Sequence, residues 1–131
     1  MRILINYLFT LSKIYIKKIR DYTSSTKHKN YKKFIILSHP RVGSTFLLSL
    51  LNDHPHIIVK NEIVREKNLF PANKRPSFLS YLKKKVFKEY NNSIKSVGFK
   101  FFYEHAVMEL SLTEYLEADK TIQIIHLKRK A

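Results

Sequence analysis

The chain has 131 residues, 44% of them hydrophobic, with 8 Tyr, 9 Phe and no cysteine. That is enough apolar material for one domain, too much for a disordered tail, and it excludes disulfide frameworks and thiolate metal sites. Lys and Arg number 25 against 10 Asp and Glu, a net charge of +15, so an anionic partner is expected, with a merely solvated basic surface as the plain alternative.

Residues 2–20 read as an amphipathic helix with a basic flank at Lys13, Lys17, Lys18 and Arg20. The uncharged stretch 3–12 is interrupted by Asn6 and Thr10 and falls short of the roughly 20 apolar residues that span a bilayer. No small-residue cleavage site follows it, which disfavours a secretory signal. The helix is expected to pack on its own domain, with peripheral membrane contact through 2–20 as its second use. A cytoplasmic protein, membrane-associated if that contact is made, is the corresponding expectation. Residues 21–33 are polar and breaker-rich and read as a linker.

An apolar run at 34–38 then stops at Ser38-His39-Pro40-Arg41-Val42-Gly43-Ser44-Thr45, and an apolar-periodic helix over 44–52 begins at once. A strand that delivers the chain to a helix N-terminus through such a turn is the layout of a phosphate-cradling loop. The free backbone N–H groups and the positive end of the helix dipole point at an anion. The nucleotide-triphosphate loop G-x-x-x-x-G-K-[ST] carries a lysine in its seventh position. Here that position is Ser44, and the basic group stands in mid-loop at Arg41, whose planar fork suits bidentate contact with phosphate or sulfate. Gly43 lets the backbone approach an anion, and the Ser44 and Thr45 hydroxyls can donate to it. The alternative is an ordinary strand–turn–helix corner with a solvated arginine. Only two glycines occur in the chain, Gly43 and Gly98, which gives the loop glycine weight.

Asp53-His54-Pro55 ends the helix, since the residue before proline avoids the helical region. A short strand is expected at 57–59, an irregular segment at 61–73, and a helix over 76–90, where Phe78, Leu79, Leu82, Val86 and Phe87 recur at helical spacing. A strand at 97–103, a helix at 104–116 and a strand at 121–127 complete an α/β unit with a largely parallel sheet. Lys100 falls on the Gly98 face of its strand, from which it could reach the site, but a snorkelling edge lysine is the preferred reading. His54 and His56 lack a third ligand of defined placement, so no metal is expected. His39, in the loop, could touch substrate but reads first as a packed or solvated turn histidine, and His105 and His126 read as structural.

Three segments in order resemble sulfotransferases that use 3′-phosphoadenosine 5′-phosphosulfate (PAPS), of the carbohydrate and nodulation type. Residues 38–48 look like that family's 5′-phosphosulfate loop, with Arg41 at its basic position. His54-Pro55 followed by Asn61-Glu62 is similar to the segment bearing an acidic residue beside the acceptor. Ile124-Ile125-His126-Leu127-Lys128-Arg129 looks like the strand entering the 3′-phosphate site. The resemblance implies a P-loop-like parallel sheet flanked by helices over 34–131. It implies sulfuryl transfer from PAPS, without a metal, to a hydroxyl or amine of a carbohydrate-like acceptor. It assigns PAPS binding to Arg41, Val42, Gly43, Ser44, Thr45 and Arg129, and catalysis to Glu62 as general base with Arg41 offsetting charge on the leaving phosphate. Glu62 also reads as a plain solvated loop carboxylate. The family pattern continues beyond Ala131, so the expectation is an N-terminal portion, its sheet incomplete at the C-terminus and with little activity by itself. A P-loop nucleotide kinase or NTPase relative is the second reading, disfavoured by Ser44 in place of lysine. A non-enzymatic basic module for nucleic acid or membrane is the third, and nucleic acid is not the expected partner.

Overall fold

The computed structural model describes residues 15–20, 26–68, 70–74 and 76–129, with the backbone alone at 65–67. Residues 15–20 are helical (α1). Strand β1 (Lys27–His28), strand β2 (Lys32–Ser38), helix α2 (Ser44–Asp53), strand β3 (Ile57–Glu62) and helix α3 (Ile63–Asn68) follow. Helix α4 (Phe78–Tyr81) runs directly into a π turn (Leu82–Val86). Then come β4 (Tyr90–Asn91), β5 (Ser96–Phe102), α5 (Tyr103–Met108), α6 (Leu110–Ala118) and β6 (Ile122–Leu127). The protein is therefore α/β, its main sheet parallel throughout and flanked by helices, in the order β3-β5-β2-β6.

The middle strands explain themselves by composition. β5 (SVGFKFF) is buried from Val97 to Phe102, and β2 carries Phe34, Ile35 and Ile36 in succession, the continuous apolar run of a strand covered on both faces. Side-chain alternation then builds two cores. Ile35, Val97, Phe99 and Phe101 face Leu82, Val86, Leu112 and Leu116, while Phe34, Ile36 and Val59 lie under Leu48 of α2. Gly98 sits opposite Phe34, and a Cβ there would stand 2.5 Å from the Phe34 ring and 2.6 Å from its carbonyl oxygen. The absence of a side chain is what lets the two central strands pair with that ring folded between them.

Side-chain hydrogen bonds tie helix to sheet. The Asn52 amide donates to the Val59 carbonyl at 3.0 Å and its oxygen accepts from the Val59 N–H at 2.9 Å. Lys17 of α1, itself buried, donates to the Asn52 carbonyl at 2.5 Å and the Ile57 carbonyl at 2.6 Å. Two carbonyls at the end of α2 and the start of β3 are thus satisfied by one ammonium group.

Several boundaries differ from the sequence reading. Strand β3 continues to Glu62, and the stretch expected to be irregular contains α3, whose Ile63 and Val64 are buried. Polar residues at the end of the expected linker are ordered instead: Lys27 and His28 pair antiparallel with Asn91 and Tyr90, and β2 starts at Lys32. The helix over 104–116 is two, divided at Glu109, which has left the helical region at φ −126°, ψ 71°. β5 is a central strand, so Lys100 is not an edge lysine. Of the amphipathic helix over 2–20, residues 1–14 lie outside the described residues. Among the described residues, no helix is long and apolar enough to cross a membrane.

Candidate functional site

In a parallel sheet, loops that leave the carboxyl ends of neighbouring strands toward opposite faces open a crevice between them. β2 and β5 are such neighbours. From β2 the chain passes through α2, which lies on the Phe34–Ile36 face, to reach β3; from β5 it passes through α5 and α6, on the Phe99–Leu112 face, to reach β6. The 38–45 loop, the β5–α5 junction and the end of β3 therefore meet at one end of the sheet.

The loop has the backbone of a tight turn. Arg41 is in the left-handed region at φ 62°, and Gly43, the residue before α2, is there at φ 87°. For arginine this conformation is uncommon and costs about 1–2 kcal/mol. No side chain caps the first turn of α2, and no acidic residue lies in it, so its leading N–H groups and dipole are left to whatever stands before them. Ser38, where β2 enters the loop, is completely buried, and its Oγ has no hydrogen-bond partner among the described residues. Arg41 and Thr45 are exposed and Val42 half-buried, whereas Ser44 is buried.

Glu62 closes β3 at the same end of the sheet as this loop, one strand removed from β2. It is paired across the β3–β5 ladder with Lys100, after an irregularity between Lys60 and Glu62, and its carboxylate lies 3.5 Å from the Lys100 ammonium. Lys100 is only 3% exposed, with its ammonium 4.9 Å from the centre of the Phe102 ring. Glu62 is therefore neither irregular nor simply solvated: it is the counter-ion of a buried lysine, and that lysine is the residue the sequence reading undervalued. The available signal was a charged side chain in a strand that is otherwise apolar on both faces.

Three histidines gather here as well. His39 stacks against Tyr103 with ring centroids 4.5 Å apart, and its Nδ1 lies 3.6 Å from a Glu104 carboxylate oxygen. The Tyr103 hydroxyl hydrogen-bonds to His126 Nε2, joining the end of β6 to the start of α5. His105 Nδ1 accepts from the Phe102 N–H at 3.4 Å. Burial foremost, with Lys100 adding to it, holds the His105 ring below the usual histidine value, against the opposing fields of Glu62, Glu104 and Glu109. The ring is thus neutral at pH 7, as an accepting Nδ1 requires.

Ser38 pairs with Leu127, so β6 ends level with the start of the loop, and Arg129 follows two residues later, exposed at the same end of the sheet. The residues picked from sequence thus share one end of the sheet: Arg41 to Thr45 in the loop, Glu62 on one flank, Arg129 on the other. No protein-family model, curated protein or solved structure is significantly similar to the chain.

Proposed function

We propose that this end of the sheet is a P-loop-like nucleotide site and that the chain is a sulfotransferase module using PAPS as co-substrate. The observation that carries the reading is the 38–45 loop. It combines two left-handed residues, an uncapped helix N-terminus, an exposed arginine and a buried serine hydroxyl without a partner at the carboxyl end of a central parallel strand. Such a constellation suits an oxyanion that accepts several hydrogen bonds at once.

On this reading the loop N–H groups, Arg41 and Thr45 hold the 5′-phosphosulfate, and Arg129 holds the 3′-phosphate. Glu62 takes the proton of an acceptor hydroxyl or amine as its oxygen or nitrogen bonds to sulfur. The bond from sulfur to the bridging oxygen of the 5′-phosphate breaks, and that oxygen leaves with its electron pair on 3′-phosphoadenosine 5′-phosphate. Arg41 offsets the charge that collects there. Positioning and charge stabilisation supply the catalysis, as in phosphoryl transfer, and no metal is invoked. Lys100 aims Glu62 by holding one of its oxygens. A carbohydrate-like acceptor remains part of the proposal.

The test is calorimetric titration with 3′-phosphoadenosine 5′-phosphate, with AMP and ATP as controls. Preferential binding of the 3′-phosphorylated nucleotide, weakened about tenfold or more by Arg41→Ala, is the expected result. Preference for ATP would move the chain to the kinase or NTPase reading, and folded protein that binds none of the three would end the nucleotide proposal.

A further inference from the structure

A second basic feature lies at the other end of the sheet. Lys27 and Lys29, from the segment around β1, and Lys83, Lys84 and Lys88, from the π turn and its continuation, surround one open concavity of about 380 Å³ with Glu89 as the sole carboxylate in its lining. These residues lie ahead of β2 and β5, whereas the 38–45 loop follows β2. Seven residues of β2 separate the two ends by about 20 Å.

The lysines stand on a fixed scaffold. Lys27 and His28 pair with Asn91 and Tyr90, which brings the first segment onto the second. The Tyr31 hydroxyl donates to the Lys88 carbonyl at 2.7 Å, and the Tyr90 hydroxyl to the Val86 carbonyl at 2.7 Å. Burial pushes the Tyr31 hydroxyl up to about 12, so it stays a donor throughout the physiological range. The π turn itself is anchored by Leu82 and Val86, both essentially inaccessible, so that Lys83, Lys84 and Lys85 are exposed in succession. Lys83 and Lys88 lie over the Tyr115 and Tyr90 rings, with ammonium-to-centroid distances of 5.7 and 5.3 Å. Five like charges held around one hollow repel each other, and an anion bearing several charges relieves that repulsion.

We propose that this concavity binds a compact, multiply phosphorylated small molecule, independently of the loop site. An open hollow ringed by lysines from two segments suits several phosphates on one small scaffold. Of the neighbouring aromatics, Tyr31, Phe87 and Tyr90 are buried and Tyr115 is half-buried beneath Lys83, so the rim has no row of open rings on which successive bases could stack. None of the exposed large apolar side chains of the described residues lies among the rim residues, as membrane insertion would require.

Inositol hexakisphosphate is the probe, titrated calorimetrically at physiological salt. One-to-one binding is expected, weakened about tenfold by Lys27→Gln/Lys29→Gln and similarly by Lys83→Gln/Lys84→Gln. It should be left unchanged by Arg41→Ala and by Lys74→Gln/Lys120→Gln, which removes the same charge elsewhere. Equal weakening by the Lys74/Lys120 pair would show a diffuse charge effect and overturn the proposal. So would tighter binding of a single-stranded RNA or of phosphatidylserine vesicles through the same lysines, and so would loss of probe binding in Arg41→Ala alone.

Discussion

Lys100 occupies a central strand at 3% exposure, and the Glu62 carboxylate 3.5 Å away is the group that makes such burial tolerable. The two partners are not equivalent. The Lys100 side chain is 4% exposed and Glu62's is 23%, so only the carboxylate can fall back on water when its partner is lost. Removing one member of a fully buried pair costs about 3–5 kcal/mol, because a charge is left uncompensated. With Glu62 partly solvated, Glu62→Gln is expected to cost about 2–3 kcal/mol and Lys100→Met less than about 1 kcal/mol. Urea unfolding of the two variants measures both. Equal costs would mean that the ammonium group reaches solvent, and the pair would then lose its role in aiming Glu62. At this scale the place of Arg41 in the turn between β2 and α2 was legible from its neighbours, whereas Glu62 was picked by resemblance alone and the continuation of its strand that far was not foreseen. Lys100 was legible only in part: the apolar residues on both faces of β5 mark a covered strand, but its partner Glu62 follows from sheet order, which no local pattern encodes.

The two glycines show how elements impose requirements that sequence only hints at. Gly98 has ordinary strand backbone but no room, since its missing Cβ would collide with the Phe34 ring and with a carbonyl that cannot move without breaking the β2–β5 ladder. Gly43 has open space around it but φ 87°. Gly98→Ala is therefore expected to cost about 3 kcal/mol, the upper end for overpacking, and Gly43→Ala only about 1–2 kcal/mol, the strain of a left-handed residue. The order of their urea midpoints checks this, and a Gly43→Ala variant less stable than Gly98→Ala would contradict both explanations. The β2–loop–α2 unit was readable because apolar run, turn residues and helical period follow each other without overlap. The Phe78, Leu82, Val86 spacing likewise marked a helix, yet the backbone widens into a π turn at Leu82, a local choice that periodicity does not record. Helix α3 was missed because Ile63-Val64, between Lys60-Asn61-Glu62 and Arg65-Glu66-Lys67, is too short an apolar pair to set a helical period. The two-residue strands β1 and β4 are too short to leave any pattern and exist only through each other.

For the molecule as a whole, charge and sheet edge act against one another. β6 pairs only with β2 among the described residues, leaving its other side open. No formally charged side chain occurs between Lys120 and Lys128, and Ile124 and Ile125, on opposite faces, are 61% and 41% exposed. An uncharged, apolar edge of this kind templates strand pairing between copies. What opposes it is the net charge of +15, which keeps copies apart over a screening length of about 30 Å at 0.01 M salt but only about 10 Å at 0.1 M. Self-association is therefore expected to rise with sodium chloride, the reverse of what contacts between opposite charges would give, and light scattering across that range measures it. Ile124→Lys places a charge within the edge and should suppress the salt-driven rise, with little effect on stability because the position is already exposed. Leu110→Lys, at a position 65% exposed at the start of α6, adds the same charge away from the edge. If it suppressed association equally, net charge alone would govern solubility and β6 would have no special part in it.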